Sequence, residues 1–393
     1  MATALVSVGL CWYIARVLLI ANPNSTSQSD RLFRRIIPLL RSVGGLRLTA
    51  RFTHHSGHAE AICTGLTRRD WDVIVVVGGD GTVHEAVNGL LGPVGGEARD
   101  PLGLPALAVI PTGSANVFAR ALGFPPDPVL ATRRLAELLR ADLRRPICLG
   151  TWNDRWFAVN AGFGMDADVV ARVHDARQHG FAATPLRYLR VSLLVWLRAR
   201  RDPPHIDVRA CSADGRELNL RDVPPFVASN TNPWTFLGPL PVVTNPRNSF
   251  DQGLGLFGLT SLRGVRGAAS MLHLVGFGHR TFFEEWIRGR TVQFDDAADV
   301  ELRCRRPQRF QADGEYVGEF AAAVLGSRTN AIEVFAPKQA YPVARSRWKV
   351  LRDGVRIIGS LTRYRKHRQG RDLPGAPGRW GAPPRRRWSR RTC

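Results

Sequence analysis

The chain has 393 residues, long enough for two domains with hydrophobic cores of their own and too long for one small core. Apolar residues make up 44% and charged residues 22%, a globular composition, but a formal charge of +22 sets the chain apart and points to an anionic partner. Between Arg345 and Cys393 there are sixteen Lys or Arg against two Asp, so +14 of that charge sits in the last 49 residues and the body is only mildly basic.

In chain order, residues 1–15 (MATALVSVGLCWYIA) are uncharged and fairly apolar. A signal peptide or anchor would look similar, but the positive n-region and small-residue cleavage site are missing. The stretch is read as a poorly defined leader that runs into the first strand.

Four apolar, β-branched runs follow: 16–21 (RVLLIA), 46–52 (LRLTARF), 72–78 (DVIVVVG) and 106–111 (ALAVIP). Helical patterns near 28–43, 57–69, 82–91 and 115–122 alternate with them. Continuous apolar strands separated by helices predict a parallel sheet buried by helices, so residues 16–145 read as an α/β nucleotide-binding domain.

Beyond Pro146 the texture changes. Short strands at 156–164, 205–211, 225–230, 254–260, 292–296, 310–315 and 331–337 are broken by Gly, Pro and Asn. That pattern predicts a largely antiparallel β-sandwich over 146–340, interrupted by helices near 185–201 and 264–288. Neither helix has the run of about 20 apolar residues that a membrane span needs.

The remainder, 341–393, is the basic tail. Trp348, Leu351, Val355, Ile358 and Leu361 stand at helical spacing among arginines, the pattern of an amphipathic interfacial helix, and a Pro/Gly/Arg-rich disordered end follows. Six cysteines form no CxxC pair and no cluster with His, so neither a zinc site nor a disulfide framework is indicated, and a reducing cytoplasm fits.

Three strand ends carry small polar loops before helices. Strand 72–78 ends in Gly78-Gly79-Asp80-Gly81-Thr82, where the glycines let backbone approach a bulky anion and the following helix offers unpaired N–H groups. An acid among phosphate-binding glycines repels ATP unless a cation intervenes, so Asp80 is expected near Mg2+ or turned toward an attacking hydroxyl. The loop Pro111-Thr112-Gly113-Ser114-Ala115-Asn116 can cap a helix and donate to phosphate oxygens, and Asn22-Pro23-Asn24-Ser25-Thr26 ends the first strand. Together they line one crevice, because ligands of open α/β sheets bind at the carboxyl edge of the strands.

Far along the chain stands Asp313-Gly314-Glu315. On its own it is a hairpin turn. Phosphoryl transfer to an alcohol also needs a base near the attacking oxygen, and a carboxylate delivered from the second half would close the site.

The segments NPNST (22–26), GGDGTVHEAVNGL (78–90), PTGSANVFARALGFP (111–125) and QADGE (311–315), in this order and spacing, resemble the diacylglycerol kinase catalytic family, which includes bacterial soluble diacylglycerol kinases and sphingosine and ceramide kinases. The resemblance spans residues 16–337. It implies a two-domain ATP-dependent lipid kinase with Mg2+, making phosphatidic acid or an analogous lipid phosphate. Nucleotide contacts would be Asn22 to Thr26, Thr53, Gly78 to Glu85, Asn88, Thr112, Gly113, Ser114 and Asn116. Glu315 would accept the proton of the lipid hydroxyl with Asp313 beside it, although Asp80 could also face that hydroxyl. A structural Mg2+ site would fall on Asn248, Asp251 and the carbonyl of Gly253.

Departures from the family pattern are Thr26 in place of Gly, Ser114 in place of Thr, Val117 where Asp is common, and Gly255 where a second acid is often found. They put the ion network in doubt more than phosphate binding.

The expected partners are a lipid substrate at the membrane surface, an anionic membrane engaged by the tail, and a second copy in a homodimer. The protein is then cytoplasmic and peripherally bound to the membrane. Two other readings compete. An NAD kinase shares a GGDG loop but calls for a different second half. A non-catalytic membrane or nucleic-acid binder would rely on the tail, yet no nucleic-acid module precedes Trp380 and Trp388, so no specific nucleic acid is expected. The kinase reading requires Gly79, Thr112 and Glu315 to meet.

Overall fold

The computed structural model describes residues 15–337, apart from 24, 26–28, 97–99, 179–184, 238–239, 263, 265, 266, 268 and 271–288. The leader, the basic tail, Asn24, Thr26 and most of the helix expected at 264–288 lie outside the described residues.

The first half follows the apolar runs. Strands β1 (Ala15–Ala21), β2 (Leu46–Phe52), β3 (Val73–Gly78) and β4 (Ala106–Pro111) pair in parallel in the order β2, β1, β3, β4. Helices α1 (Asp30–Arg41), α2 (His58–Cys63), α3 (Asp80–Leu91), α4 (Val117–Ala121) and α5 (Pro128–Arg140) connect or follow them. Every residue of β3 and β4 is buried, which is why these strands are uniformly apolar rather than alternating: each fully buried branched side chain contributes about 1.5–3 kcal/mol. Edge strand β2 is largely exposed and alternates poorly. Helix α5 has a plain start signal, Asp127 accepting from the N–H groups of Val129 and Leu130 with Pro128 at the first helical position.

The second half is antiparallel and strand-rich. It comprises β5 (Arg144–Trp152), β6 (Arg155–Phe157), β7 (Asn160–Gly164), helices α6 (Met165–Gln178) and α7 (Pro185–Ala199), then β8 (Ile206–Ser212), β9 (Glu217–Val223), β10 (Pro225–Ser229), β11 (Thr235–Leu237), β12 (Leu240–Val242), β13 (Leu254–Leu259), β14 (Thr291–Ala312) and β15 (Glu315–Phe335). Strands β14 and β15 are long enough to serve several neighbours: β14 pairs with β7, β8, β13 and β15, and β15 with β5. Two register shifts along their shared ladder bend the pair. Phe157, Phe163, Phe226 and Phe310, all fully buried, fill the core of this half with Val208, Leu254, Leu256 and Leu302.

The end of β15 lies parallel to β4, with Val334 opposite Leu107. Ala331, Ile332, Val334 and Phe335 thereby join the core of the first half, as do Ile147 and Leu149 of β5. The sheet is therefore continuous, and the chain enters the second half and leaves it at the same place. Among the described residues no helix is long and apolar enough to cross a membrane.

Candidate active site

The site forms where β1, β3 and β4 end. Asn22 N–H donates to the Val77 carbonyl and Thr112 N–H to the Gly78 carbonyl, so the three strand ends stay in register into their loops. Ser25 Oγ and Thr112 Oγ1 share a hydrogen bond of 2.9 Å, joining the first loop to the third. Gly79 and Gly113 pass so closely that a Cβ on Gly113 would stand 2.6 Å from the Gly79 Cα, which only two glycines allow. Asn116, at φ 50°, locks this loop: its Oδ1 accepts the Gly113 N–H and its Nδ2 donates to the Gly113 carbonyl, both at 2.8 Å.

Helix α3 starts at Asp80 with Gly79 at its N-cap and no side chain capping its first turn. The N–H groups there are available to an outside anion, and the helix dipole favours one. The Asp80 carboxylate reaches across to the next helix, accepting the Val117 and Phe118 N–H groups at 3.0 Å each. Burial pushes its pKa up to about 6 against the pull of those two amides. Arg120, on the same short helix α4, lies with its guanidinium 3.2 Å from the centroid of the Phe236 ring, and burial lowers its pKa to about 10.

The carboxylates of the second half arrive on a hairpin. Ala312 pairs with Glu315, and the two turn residues Asp313 (φ 52°) and Gly314 (φ 79°) both adopt positive φ, as a two-residue turn between right-twisted strands requires. The Asp313 side chain turns inward and is buried. Its Oδ1 accepts the N–H groups of Val159 (2.7 Å) and Asn160 (3.2 Å), and its Oδ2 accepts that of Ala158 (2.8 Å) and Nδ1–H of His84 (2.9 Å). The stretch expected as one strand over 156–164 is broken between Phe157 and Asn160, and Asp313 takes the amides freed by that break.

His84 carries the tie onward to α3, one turn after Asp80. Burial alone lowers its pKa, but the hydrogen bond and charge of Asp313 and the charge of Glu315 outweigh it and raise the net value. Gln311 secures the other side of the turn: its Oε1 accepts the Gly314 N–H, and its Nε2 donates to Asn160 Oδ1 (2.7 Å) and Asp166 Oδ2 (2.6 Å). Burial of Asp166 pushes its pKa up to about 6 despite the Gln311 bond.

This tethering lays Glu315 on the Gly-rich loop. A Cβ at Gly81 would collide with the Glu315 carboxylate, so glycine at 81 is what admits it. Glu315 is exposed, unlike Asp313. Loops from three strands of one half and a carboxylate from the other thus meet at one place, the arrangement the kinase reading requires.

A scan of family models matches residues 16–145 to the diacylglycerol kinase catalytic domain. The diacylglycerol kinase of Bacillus subtilis strain 168 is 33% identical over 327 residues, covering 82% of this chain and 97% of the relative. The chain belongs to the diacylglycerol kinase family. It is accordingly a lipid kinase. A diacylglycerol kinase of Staphylococcus haemolyticus is 25% identical over 341 residues, covering 86% of this chain and 93% of that one. The crystal structure of a diacylglycerol kinase from Bacillus anthracis superposes with a TM-score of 0.57 at 18% identity, over 83% of this chain and 98% of the other, and supports the fold.

Within that family frame, several expected nucleotide contacts turn their polar groups elsewhere. Glu85 accepts the Gly57 and Ala59 N–H groups (2.8 and 3.0 Å) and so caps α2. Asn88 Nδ2 donates to the His84 and Trp156 carbonyls while Oδ1 accepts the Trp156 N–H, binding α3 to β6. Both lie on the face of α3 that packs on α2 and β6 rather than on its open N-terminal end. Pro23 and Ser114 are exposed at the loops, Thr53 is buried at the end of β2 with its N–H on the Ala21 carbonyl, and Thr82 is buried beneath Gly78.

At the expected Mg2+ site the Asn248 and Asp251 side chains are engaged by protein partners. Asp251 is 68% exposed and its carboxylate is held by Arg145 Nη1 at 2.6 Å. Asn248 is buried, with Nδ2 donating to the Ser229 and Thr231 carbonyls and Oδ1 accepting from Gln252, and the Gly253 N–H donates to Asp296. Asp251 is thus paired with arginine, and the Asp296 carboxylate is the second acid at this loop. No cluster of three His, Cys, Asp or Glu able to hold a metal exists among the described residues.

Sequence reading assigned no role to Gln311, Asn160, Asp166 or Arg120, and placed His84 among the nucleotide contacts rather than on Asp313. His84 stands four residues after Asp80 on a helix that starts at the Gly-rich loop, hence on the same face.

Proposed function

We propose that the protein transfers the γ-phosphoryl group of ATP to a hydroxyl of diacylglycerol, giving phosphatidic acid, with sphingoid bases and ceramide as related acceptors to be tested beside it. The observation that carries this reading is the seating of Glu315 against Gly81, which puts an exposed carboxylate at the phosphate-binding end of α3. The close approach of Gly79 and Gly113 and the uncapped first turn of α3 fit a polyphosphate lying across Gly79 to Thr82 with Thr112 and Ser25 at its side.

In this mechanism the lipid hydroxyl lies between Glu315 and the γ-phosphorus. Glu315 accepts the hydroxyl proton as the oxygen forms its bond to phosphorus and the bond to the ADP oxygen breaks. Asp313 acts by position, because both its oxygens are engaged by protein donors, and Asp80 ties the two phosphate loops together. A divalent cation accompanying ATP would neutralise phosphate charge, and Asp80, whose oxygens each keep a second lone pair, would face it. No step is assigned to Asn248, Asp251 or Gly253.

The acceptor dissolves in membranes, so the enzyme works at a membrane surface from the cytoplasmic side, with the Arg-rich tail drawing it to anionic lipid. The test supplies labelled ATP with diacylglycerol, sphingosine, ceramide and NAD in parallel. Label in phosphatidic acid is expected. Label in phosphorylated NAD, or release of inorganic phosphate alone, overturns the reading.

A further inference from the structure

Helix α7 presents two unlike faces. Val195 and Ala199 are buried against Met165, Phe257, Leu259 and Leu262, with Val191 and Trp196 partly buried beside them. Turned away from that core, Leu193, Leu194 and Leu197 are 52%, 59% and 44% exposed. At 100° per residue these three leucines fall within a single arc, bordered by exposed Arg190 and Arg198 and followed by exposed Arg201. Single exposed leucines are ordinary, but three side by side form a patch that wants a partner. Residues 185–201 contain five arginines and no acid, so the helix that bears the apolar stripe is itself purely cationic, with Asp202 following it.

The patch is also connected to the site. The charge of Arg198 acts on Asp168 of α6, Asp168 pairs with Arg309 at 3.2 Å, and the Arg309 guanidinium lies 5.9 Å from the ring of Tyr316. Tyr316 and Val317 are exposed apolar residues directly after Glu315. Charge and ring interactions therefore lead from the last turn of α7, through Asp168 and Arg309, toward the strand that bears the proposed base.

We infer that the Leu193–Leu194–Leu197 face of α7 is a bilayer-docking surface that inserts among the acyl chains of an anionic membrane while Arg190, Arg198 and Arg201 meet the headgroups. An apolar stripe on a helix whose charges are all basic is the chemistry an interfacial helix uses, and an acidic protein partner or a bare apolar one would match only half of it. The inference rests on the reading that the acceptor resides in a bilayer. It adds an anchor within the folded body, separate from the tail.

The test uses the full chain and the variant Leu193→Ser/Leu194→Ser/Leu197→Ser, with thermal unfolding to confirm folding. Binding is measured to vesicles of phosphatidylglycerol and phosphatidylcholine at low and at high salt, and turnover with diacylglycerol in those vesicles and with a water-soluble short-chain diacylglycerol. Losing three half-buried leucines should weaken vesicle binding by about 100-fold, most visibly at high salt where the tail is screened. Turnover on vesicles should fall in step while turnover on the short-chain substrate stays at the wild-type level. Arg190→Glu should weaken binding to anionic vesicles alone. Wild-type behaviour of the triple variant on vesicles overturns the inference, as does equal loss on both substrates. A dimer in the wild type that the triple variant dissolves also overturns it, by showing that a second copy covers the face. If the wild type phosphorylates neither form of diacylglycerol, it is the substrate reading that fails.

Discussion

Replacing Asp313 by Asn alters one buried atom and tests how the second half delivers its carboxylate. The wild-type side chain accepts four hydrogen bonds, two on each oxygen. In the variant the carbonyl oxygen can keep Val159 and Asn160, while the new NH2 group faces the Ala158 N–H and His84. His84 can answer by presenting its Nδ1 lone pair, but the Ala158 N–H is stranded. An unsatisfied buried N–H costs about 1–3 kcal/mol, and the remaining bonds lose the charge that roughly doubled their strength. The sum is about 3–5 kcal/mol, or a Tm lower by roughly 4–6 °C for a protein of this size. Loosening the turn also moves Glu315 off Gly81, so kcat should fall by about 100-fold with the KM for ATP little changed. Differential scanning calorimetry and initial rates at saturating lipid measure both. A variant with wild-type Tm and wild-type kcat would refute the role of Asp313 as the tether of the hairpin.

Other consequences follow from the same loops. Gly113→Ala puts a methyl 2.6 Å from the Gly79 Cα, so it should push the phosphate loops apart and weaken ATP binding by about tenfold or more, read by titration calorimetry; unchanged affinity would contradict the shared cradle. Gly81→Ala displaces Glu315 alone, so kcat should drop while ATP affinity holds, and equal loss of both would count against it. Asp80 has a folded pKa raised from 3.8 to about 6, so it contributes stability that is full below pH 3.8 and is lost as pH rises through 6. Asp80→Asn should remove that slope from the curve of Tm against pH, and parallel curves for the two proteins would contradict the assignment.

The α/β half was legible because β1, β3 and β4 are buried on both faces and have no polar side to blur them. Strands β14 and β15 read only as short pieces, since arginines, glycines and two bulges interrupt their apolar pattern over 22 and 21 residues. Helix α5 was missed although Asp127-Pro128 announced it. The pairing of β15 with β4 is invisible locally, because a contact between Val334 and Leu107 leaves no trace in either neighbourhood. At the site the glycine loops could be read from spacing alone. Asp313-Gly314 read as a turn and proved to be one, and its second task of gathering the amides of Ala158 to Asn160 depends on a strand break that no spacing reveals.

The most direct test of the account is Glu315→Gln, assayed by quenched transfer from labelled ATP to diacylglycerol alongside ATP binding by titration calorimetry. A carboxylate that takes the hydroxyl proton predicts a fall in the transfer rate of about 100- to 10,000-fold with ATP affinity unchanged. Transfer at the wild-type rate would contradict the claim that Glu315, resting on Gly81, is the base of the reaction.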